Sequence, residues 1–428
     1  MPKKSYFCPK QINLRILYNT GIFLAQYLLQ AIGVFNPKIK AGVIGRRETF
    51  NKLKKSISAT DKTLWFHCAS LGEYEQGLPV FSEIKKIYPN HKVILSFFSP
   101  SGYDIRKNAP IADCVVYLPL DSKHNAKTLL DLVHPELTVF VKYDIWPNVL
   151  NELKRRQGRA ILISALFRKE QIFFKPYGGF MKEALFAFEH IFTQNENAKQ
   201  LLETIGYKAI TVSGDTRFDR VSNQLKIDNT LDFIAEFKNN KLCYVAGSTW
   251  PEDEKLLVHY INTEAPKDVK FIIAPHNIKA NQINQLQSDI KTKTVLFSEK
   301  ESKDLSQAQV FIIDTIGILT KIYNYADIAY VGGALGTTGL HNTLEPAVFG
   351  IPILIGNTYD KFPEAIDMIA NQGMFSIKNQ SELNEISTKL INNSEFRTKT
   401  GAKNAYYIND NEGAIGLITQ YLGVNSSK

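Results

Sequence analysis

An acid that can take a proton, a run of glycines that can hold an anion, and hydroxyls and imidazoles at strand ends are the chemically useful residues of this chain. The acid lies in ASLGEYEQG, where Glu73 follows a Ser-Leu-Gly turn at the end of the apolar run TLWFHC. A strand, a tight turn and a helix from about Gly72 to Ile87 put Glu73 in the first helical turn. Two roles are open there. A first-turn acid complements the helix dipole and stabilises it by a few tenths of a kcal/mol. An acid aimed past the strand end by a glycine turn is instead a general base for an incoming hydroxyl.

The glycines lie in YVGGALGTTGLHNTLEPAVFG, Tyr330 to Gly350. Gly332, Gly333, Gly336 and Gly339 let backbone amides approach an anion, and HNTLEPA opens the next helix, whose amino end attracts phosphate. Glu345 is placed to accept hydrogen bonds from a pair of ribose hydroxyls. A lone G-x-G would mean only a tight turn; four glycines followed by His341, Asn342, Glu345 and Pro346 say more. Two further strand ends carry polar groups. VAGSTWPEDEKLL offers Ser248 and Thr249, which serve either an anion or the helix as N-caps. FIIAPHNIKA brings His276 and Asn277 to the same edge.

The elements that must position these residues alternate from residue 60 onward. Apolar strands are separated by amphipathic helices, the pattern of parallel sheets. TLWFHC, KVILSFF, CVVYLPL, LTVFVKY, RAILISAL and AITVSGD make a first series; KLCYVAGS, VKFIIAP, TVLFS, QVFIID, DIAYVGG and IPILIG make a second. Two doubly wound units are expected, with a cleft between them and a seam in GDTRFDRVSNQLKIDNTLDF. Ligands of such sheets sit at the carboxyl ends of the strands, where the residues above fall.

At 428 residues the chain is too long for one ordinary core. Its 44% apolar and 22% charged content excludes wholesale disorder. Cys8, Cys68, Cys114 and Cys243 show no C-x-x-C spacing, so they are read as reduced and intracellular, with neither a disulfide framework nor a zinc site. The net charge of +9 calls for an acidic partner. Lys38, Lys40, Arg46, Arg47, Lys52, Lys54 and Lys55 crowd around a single Glu48, directly after an uncharged stretch from Ile16 to Pro37. That stretch is long enough as a helix to cross a hydrocarbon layer. Asn19, Gln26 and Gln30 give it a narrow polar stripe, so an interfacial or shallowly inserted anchor fits equally well. A buried core helix and a signal peptide are the other readings; no small-residue cleavage site supports the last. The basic stretch would rest on anionic lipid head groups.

Together ASLGEYEQG, AGSTWPEDE, GGALGTTGLHNTLEPA and GNTYDKFPEA resemble the Kdo transferases, which add 3-deoxy-D-manno-octulosonic acid (Kdo) to the lipid A precursor in Gram-negative bacteria. The resemblance covers nearly the whole chain. It implies a GT-B glycosyltransferase of the α/β class: an anchor over residues 1–37, a Rossmann-like acceptor domain over 38–218 and a Rossmann-like donor domain over 219–428. Its last helix, about Gly401 to Leu422, packs back on the first domain by the same analogy. CMP-Kdo would be the donor and the lipid A precursor lipid IVA the acceptor. The anomeric centre would invert without a metal or other cofactor, at the cytoplasmic face of the inner membrane.

The same resemblance makes Glu73 the base. It places Ser248, Thr249, Gly333, Asn342 and Glu345 on the nucleotide, with His276 and Glu364 in the donor site and Asp144 toward the acceptor. Arg217, at the seam, adds a fixed positive charge for the leaving CMP or forms a hinge salt bridge with Asp215 or Asp219. Four positions depart from the family pattern: Lys142, Asn277, Leu340 and Lys361. Another GT-B transferase using a UDP-sugar is the rival enzyme. A non-catalytic protein of membrane surfaces or nucleic acid is the rival of another class, although aromatic and basic residues do not interleave as single-strand binders require.

Overall fold

The computed structural model describes residues 9–426. Its contacts divide the chain into two units, Met1–Asp219 with Gly413–Lys428, and Arg220–Glu412. Residues 1–8 of the expected anchor lie outside the described residues.

The first unit holds strands β1 (Thr63–Cys68), β2 (Lys92–Phe97), β3 (Cys114–Tyr117), β4 (Leu137–Val141), β5 (Ala160–Ala165), β6 (His190–Thr193) and β7 (Ile210–Val212). All pair in parallel, in the order β3-β2-β1-β4-β5-β6-β7. Strands covered on both faces are buried at every position, which is why TLWFHC and LTVFV are mostly apolar and show no regular alternation with polar residues. Trp65, Ile94, Phe140 and Leu162 build the core on one face, and Leu64, Phe66, Leu95 and Val139 on the other. Strand β6 is absent from the expected series; HIFT is short and begins with a histidine.

The second unit repeats the plan with β8 (Cys243–Thr249), β9 (Lys270–Pro275), β10 (Thr294–Leu296), β11 (Val310–Ile312), β12 (Ile328–Val331), β13 (Ile353–Ile355) and β14 (Met374–Ser376). These are again all parallel, in the order β10-β11-β9-β8-β12-β13-β14. Strand order reverses at β1/β4 in the first sheet and at β8/β12 in the second. At such a point the following helices go to opposite faces and a crevice opens beyond the strand ends. The four loops so defined carry Glu73, Asp144, the Ser248-Thr249-Trp250 run and the glycine cluster.

The carboxyl-terminal helix differs from expectation. It is two helices, Ser394–Asn411 and Ala414–Ser426, broken at Gly413, which has φ +116. Only the second belongs to the first unit, where Ile418 and Leu422 join the core under helix α3 (Leu71–Ile87). Asp219 receives the backbone N–H groups of Gly413, Ala414 and Ile415 at 3.1, 3.1 and 3.3 Å. A carboxylate distant in sequence thus caps this helix.

The amino-terminal segment forms helices α1 (Pro9–Gly33) and α2 (Pro37–Ser56), separated where Asn36 caps α2. The expected continuous helix to Pro37 is therefore corrected, and no described helix is long and apolar enough to cross a membrane. Of the expected polar stripe, Asn19 is turned inward whereas Gln26 is exposed. Asn19 faces the protein, accepting from Asn148 Nδ2 at 2.9 Å, and the neighbouring Tyr18 donates to Asp121 at 2.9 Å. The outward face is largely apolar, with Gln26 among its exposed residues: Leu17, Phe23, Leu24, Tyr27 and Leu28 are each more than half exposed, and Phe35 beyond the helix end is 88% exposed.

Candidate functional site

In the first unit, β1 ends at Cys68 and Ser70 stands in extended conformation as the N-cap of α3, which sets Glu73 three residues into the helix. Ser-x-x-Glu at this spacing would ordinarily form a capping box. Here Ser70 makes no side-chain cap; its hydroxyl donates to the Glu73 carboxylate instead. Glu73 is half-buried, and together with Asp144 and Glu75 it adds to the burial that pushes the Cys68 thiol well above its ordinary range. Carboxylates from the β1 and β4 loops thus act on one buried thiol at the switch point.

Asp144 is fixed by groups that no motif marks. Its Oδ2 accepts from Trp146 Nε1 at 3.0 Å and lies 2.7 Å from His67 Nε2. His67 is fully buried on β1, and its Nδ1 meets Ser96 Oγ at 2.8 Å, which in turn accepts from Trp65 Nε1 at 2.8 Å. An indole N–H can only donate. The chain of bonds therefore runs from Trp65 through Ser96 and His67 to Asp144. One face of β1 and its neighbour β2 hold this line of polar groups inside the core. Lys142, which departs from the family pattern, adopts a left-handed φ of +67 directly after β4, strain of the kind that gathers at functional loops.

Arg217 lies in the first unit, where its Nε donates to Asp215 Oδ2 at 2.8 Å and its backbone N–H to Asp215 Oδ1 at 2.9 Å. Gln76 of α3 donates to the same Asp215 at 3.1 Å, tying the seam residue to the helix that carries Glu73.

In the second unit, β8 is bulged between Gly247 and Thr249, with Ser248 at φ +54. Neither Ser248 nor Thr249 caps the following helix, Pro251–Thr263; Trp250 occupies that position, and Thr249 Oγ1 donates to Glu254 at 2.9 Å. The glycines are required by close packing. A side chain at Gly332 would meet the Ser248 carbonyl oxygen at 2.4 Å; one at Gly333, which has φ +97, would meet the Gly339 carbonyl oxygen at 2.2 Å. Asp253, buried to 1% exposure, joins the two loops. It accepts from Tyr330 Oη at 2.7 Å, Gly333 N at 2.9 Å and Trp250 N at 2.9 Å.

The helix after the glycine loop is one turn, Leu344–Ala347, too short for a helix amino end to hold phosphate, which corrects that expectation. Asn342 Nδ2 donates to Glu345 Oε1 at 3.0 Å, so these two site residues orient each other. Glu364 is buried in the first turn of Pro363–Ala370. His276 is exposed after β9 and stacks on Trp250 with ring centroids 4.7 Å apart. Thus Ser248, Thr249, His276, Gly333, Asn342 and Glu345 all lie at or just beyond the carboxyl ends of β8, β9 and β12.

Residues 44–220 match the family model described as 3-deoxy-D-manno-octulosonic-acid transferase. The chain is 25% identical over 421 residues to the 3-deoxy-D-manno-octulosonic acid transferase of Haemophilus influenzae, covering 95% of this chain and 98% of that protein. It is 26% identical to the enzyme of the same name from Aquifex aeolicus, over 79% of this chain and 88% of that one. The chain is similar to the Kdo transferases over most of its length. It is a glycosyltransferase. The UDP-GlcNAc 2-epimerase of Neisseria meningitidis aligns with a TM-score of 0.60 at 15% identity, covering 84% of this chain and 99% of that one, a likeness of fold alone.

Within this chain, His67, Asp253 and Trp250 are site residues that the sequence alone does not mark. The first sits inside an apolar strand and the second in an acidic helix start, where each has an ordinary explanation. Trp250 stands beside two hydroxyl residues that account for its motif without it. A polar side chain at an otherwise apolar strand position is the available signal for His67.

Proposed function

We propose that this protein is a Kdo transferase that moves Kdo from CMP-Kdo to a hydroxyl of the lipid A precursor lipid IVA, inverting the anomeric centre. The observation that carries the reading is the Glu73 carboxylate: it stands at the β1/β4 switch point and caps no backbone, although the sequence around it is that of a capping box. In this reading Glu73 takes the acceptor hydroxyl proton as oxygen attacks the anomeric carbon. The bond from that carbon to the phosphate oxygen breaks, and CMP departs with the bonding electrons. Backbone amides of the Ala334–Gly339 stretch and the hydroxyl of Ser248 meet the phosphate, Asn342 and Glu345 hold the ribose, and His276 and Glu364 complete the donor site. Preorganised donors of this kind stabilise developing charge most where water is excluded. Arg217 and Asp144 serve the leaving group and the acceptor.

The reaction proceeds without a metal, and transfer should persist in excess EDTA. The acceptor is reached at the cytoplasmic face of the inner membrane. The exposed apolar face of α1 supports this, as do the basic side chains of α2 that would meet anionic head groups. Incubating the purified chain with CMP-Kdo and a tetra-acylated lipid A precursor, then weighing the lipid, tests the proposal. Product should gain Kdo mass with wild type, and Glu73→Gln should be slower by about 100-fold or more while still binding CMP. Equal rates would remove Glu73 as the base; transfer from a UDP-sugar but not from CMP-Kdo would replace the donor.

A further inference from the structure

We propose that Trp250 is a positioning residue for His341: its indole N–H fixes the imidazole with the proton on Nδ1, so that His341 meets the donor's anionic groups as a neutral hydrogen-bond donor of set direction. The inference rests on the donor site proposed above and adds His341 to it, with the residue that orients its ring.

The geometry is specific. Trp250 Nε1 lies 3.0 Å from His341 Nε2. Indole N–H has no acceptor capacity, so Nε2 must carry the lone pair and Nδ1 the proton. The two rings are nearly coplanar, 16° apart with centroids separated by 6.4 Å, as an edge-to-edge N–H···N bond demands. His276 covers the pair from one side, 4.7 Å from the Trp250 ring at 19° and 4.5 Å from the His341 ring at 33°. Each member is held by its own backbone. Trp250 N–H is tied to Asp253, His276 N–H donates to the Thr249 carbonyl at 2.9 Å, and His341 N–H donates to the Gly332 carbonyl at 3.2 Å. Three loops, after β8, β9 and β12, therefore fix one ring assembly.

Protonating His341 on Nε2 would set two N–H groups against each other. Burial, reinforced by His276, pushes the imidazole down to about 4, in agreement with that conflict. Among the described residues no acceptor takes the Nδ1–H. The His341 ring also abuts Gly333: a Cβ built there would lie 3.1 Å from its Cδ2, so the glycine makes room for the ring.

The test uses the full chain labelled with 15N-histidine at pH 7, with two-bond proton–nitrogen correlations recorded with and without CMP. His341 should show a protonated Nδ1 and an unprotonated Nε2. Trp250→Phe keeps an aromatic ring beside His276 but removes the donor. It should shift His341 toward the Nε2–H form, raise the CMP Kd and the donor KM about tenfold, and change kcat less than twofold. A proton on Nε2 in wild type would overturn the proposal, as would a Trp250→Phe protein whose tautomer and CMP affinity match wild type within twofold. Should that variant fail to fold, the wild-type spectrum still decides. Wild-type protein that shows the stated tautomer and binds CMP, yet transfers no Kdo, would overturn the function proposed above and leave the positioning intact.

Discussion

Replacing Asp253 separates what its oxygens hold from what its charge costs. In Asp253→Ala three donors lose their acceptor: Tyr330 O–H, Gly333 N–H and Trp250 N–H. Each buried, unsatisfied donor costs about 1–3 kcal/mol. Local relaxation and water entering the space bring the expected loss to about 3–5 kcal/mol. Asp253→Asn is different. The amide oxygen can accept both backbone N–H groups, and the amide nitrogen can donate to the Tyr330 oxygen, so all three contacts persist as neutral bonds.

The carboxylate also carries a penalty that the amide lacks. Burial raises the Asp253 acid above its ordinary value despite the bonds that favour its ionised form. Between the unfolded and folded values the folded chain holds the proton more firmly, so wild-type stability falls as pH rises through that window. Asp253→Asn should remove this fall and lie within about 1 kcal/mol of wild type at pH 7. Urea unfolding of the full chain, with amide exchange followed over residues 248–256 and 328–345, reads both effects. Equal damage from Ala and Asn would refute the reasoning, because it would make the charge, and not the acceptor geometry, the source of the loss. So would an Ala variant as stable as wild type.

Gly333→Ala should abolish CMP binding and cost about 2 kcal/mol or more by thermal unfolding, since it forces a left-handed residue against the Gly339 carbonyl oxygen. His341 should make the second unit acid-sensitive. Its folded value is lowered, so the unfolded chain takes the proton first, and stability should be lost as pH falls from about 6.5 toward about 4. The loss should be smaller in His341→Asn, as measured by urea midpoints across that range. Asp219→Ala removes the cap of the last helix and should cost about 0.5–2 kcal/mol, with faster amide exchange confined to residues 413–426.

Much of the scaffold is legible in the residues alone, because doubly covered parallel strands leave a strong mark. TLWFHC and CYVAGST are uninterrupted by charge, and a short polar loop and a helix follow each. HIFT and MFS escape notice because a histidine opens the one and a serine closes the other, which leaves no apolar run like those of TVLFS or IPILIG. The exposed face of α1 shows the opposite error. Asn19 reads as the wet side of an amphipathic helix, yet it hydrogen-bonds to Asn148, and the apolar residues face outward. Periodicity reports that two faces differ; it does not report which one the protein covers.

What the sequence determined is the inventory and its address: an acid after β1, glycines after β12, hydroxyls at the end of β8 and a histidine after β9, all at carboxyl ends of parallel strands. Local backbone rules suffice for that, since a strand, a turn and a helix start are made by neighbours in the chain. Only the tertiary structure decided which loops meet. Asp253 joins two loops about 80 residues apart, His67 and Trp146 fix Asp144, and Trp250 sets the proton on His341. Hydrogen bonds and ring contacts act over a few ångströms in space, and strand order, which brings β8 beside β12 and β1 beside β4, sets which distant residues come within that reach.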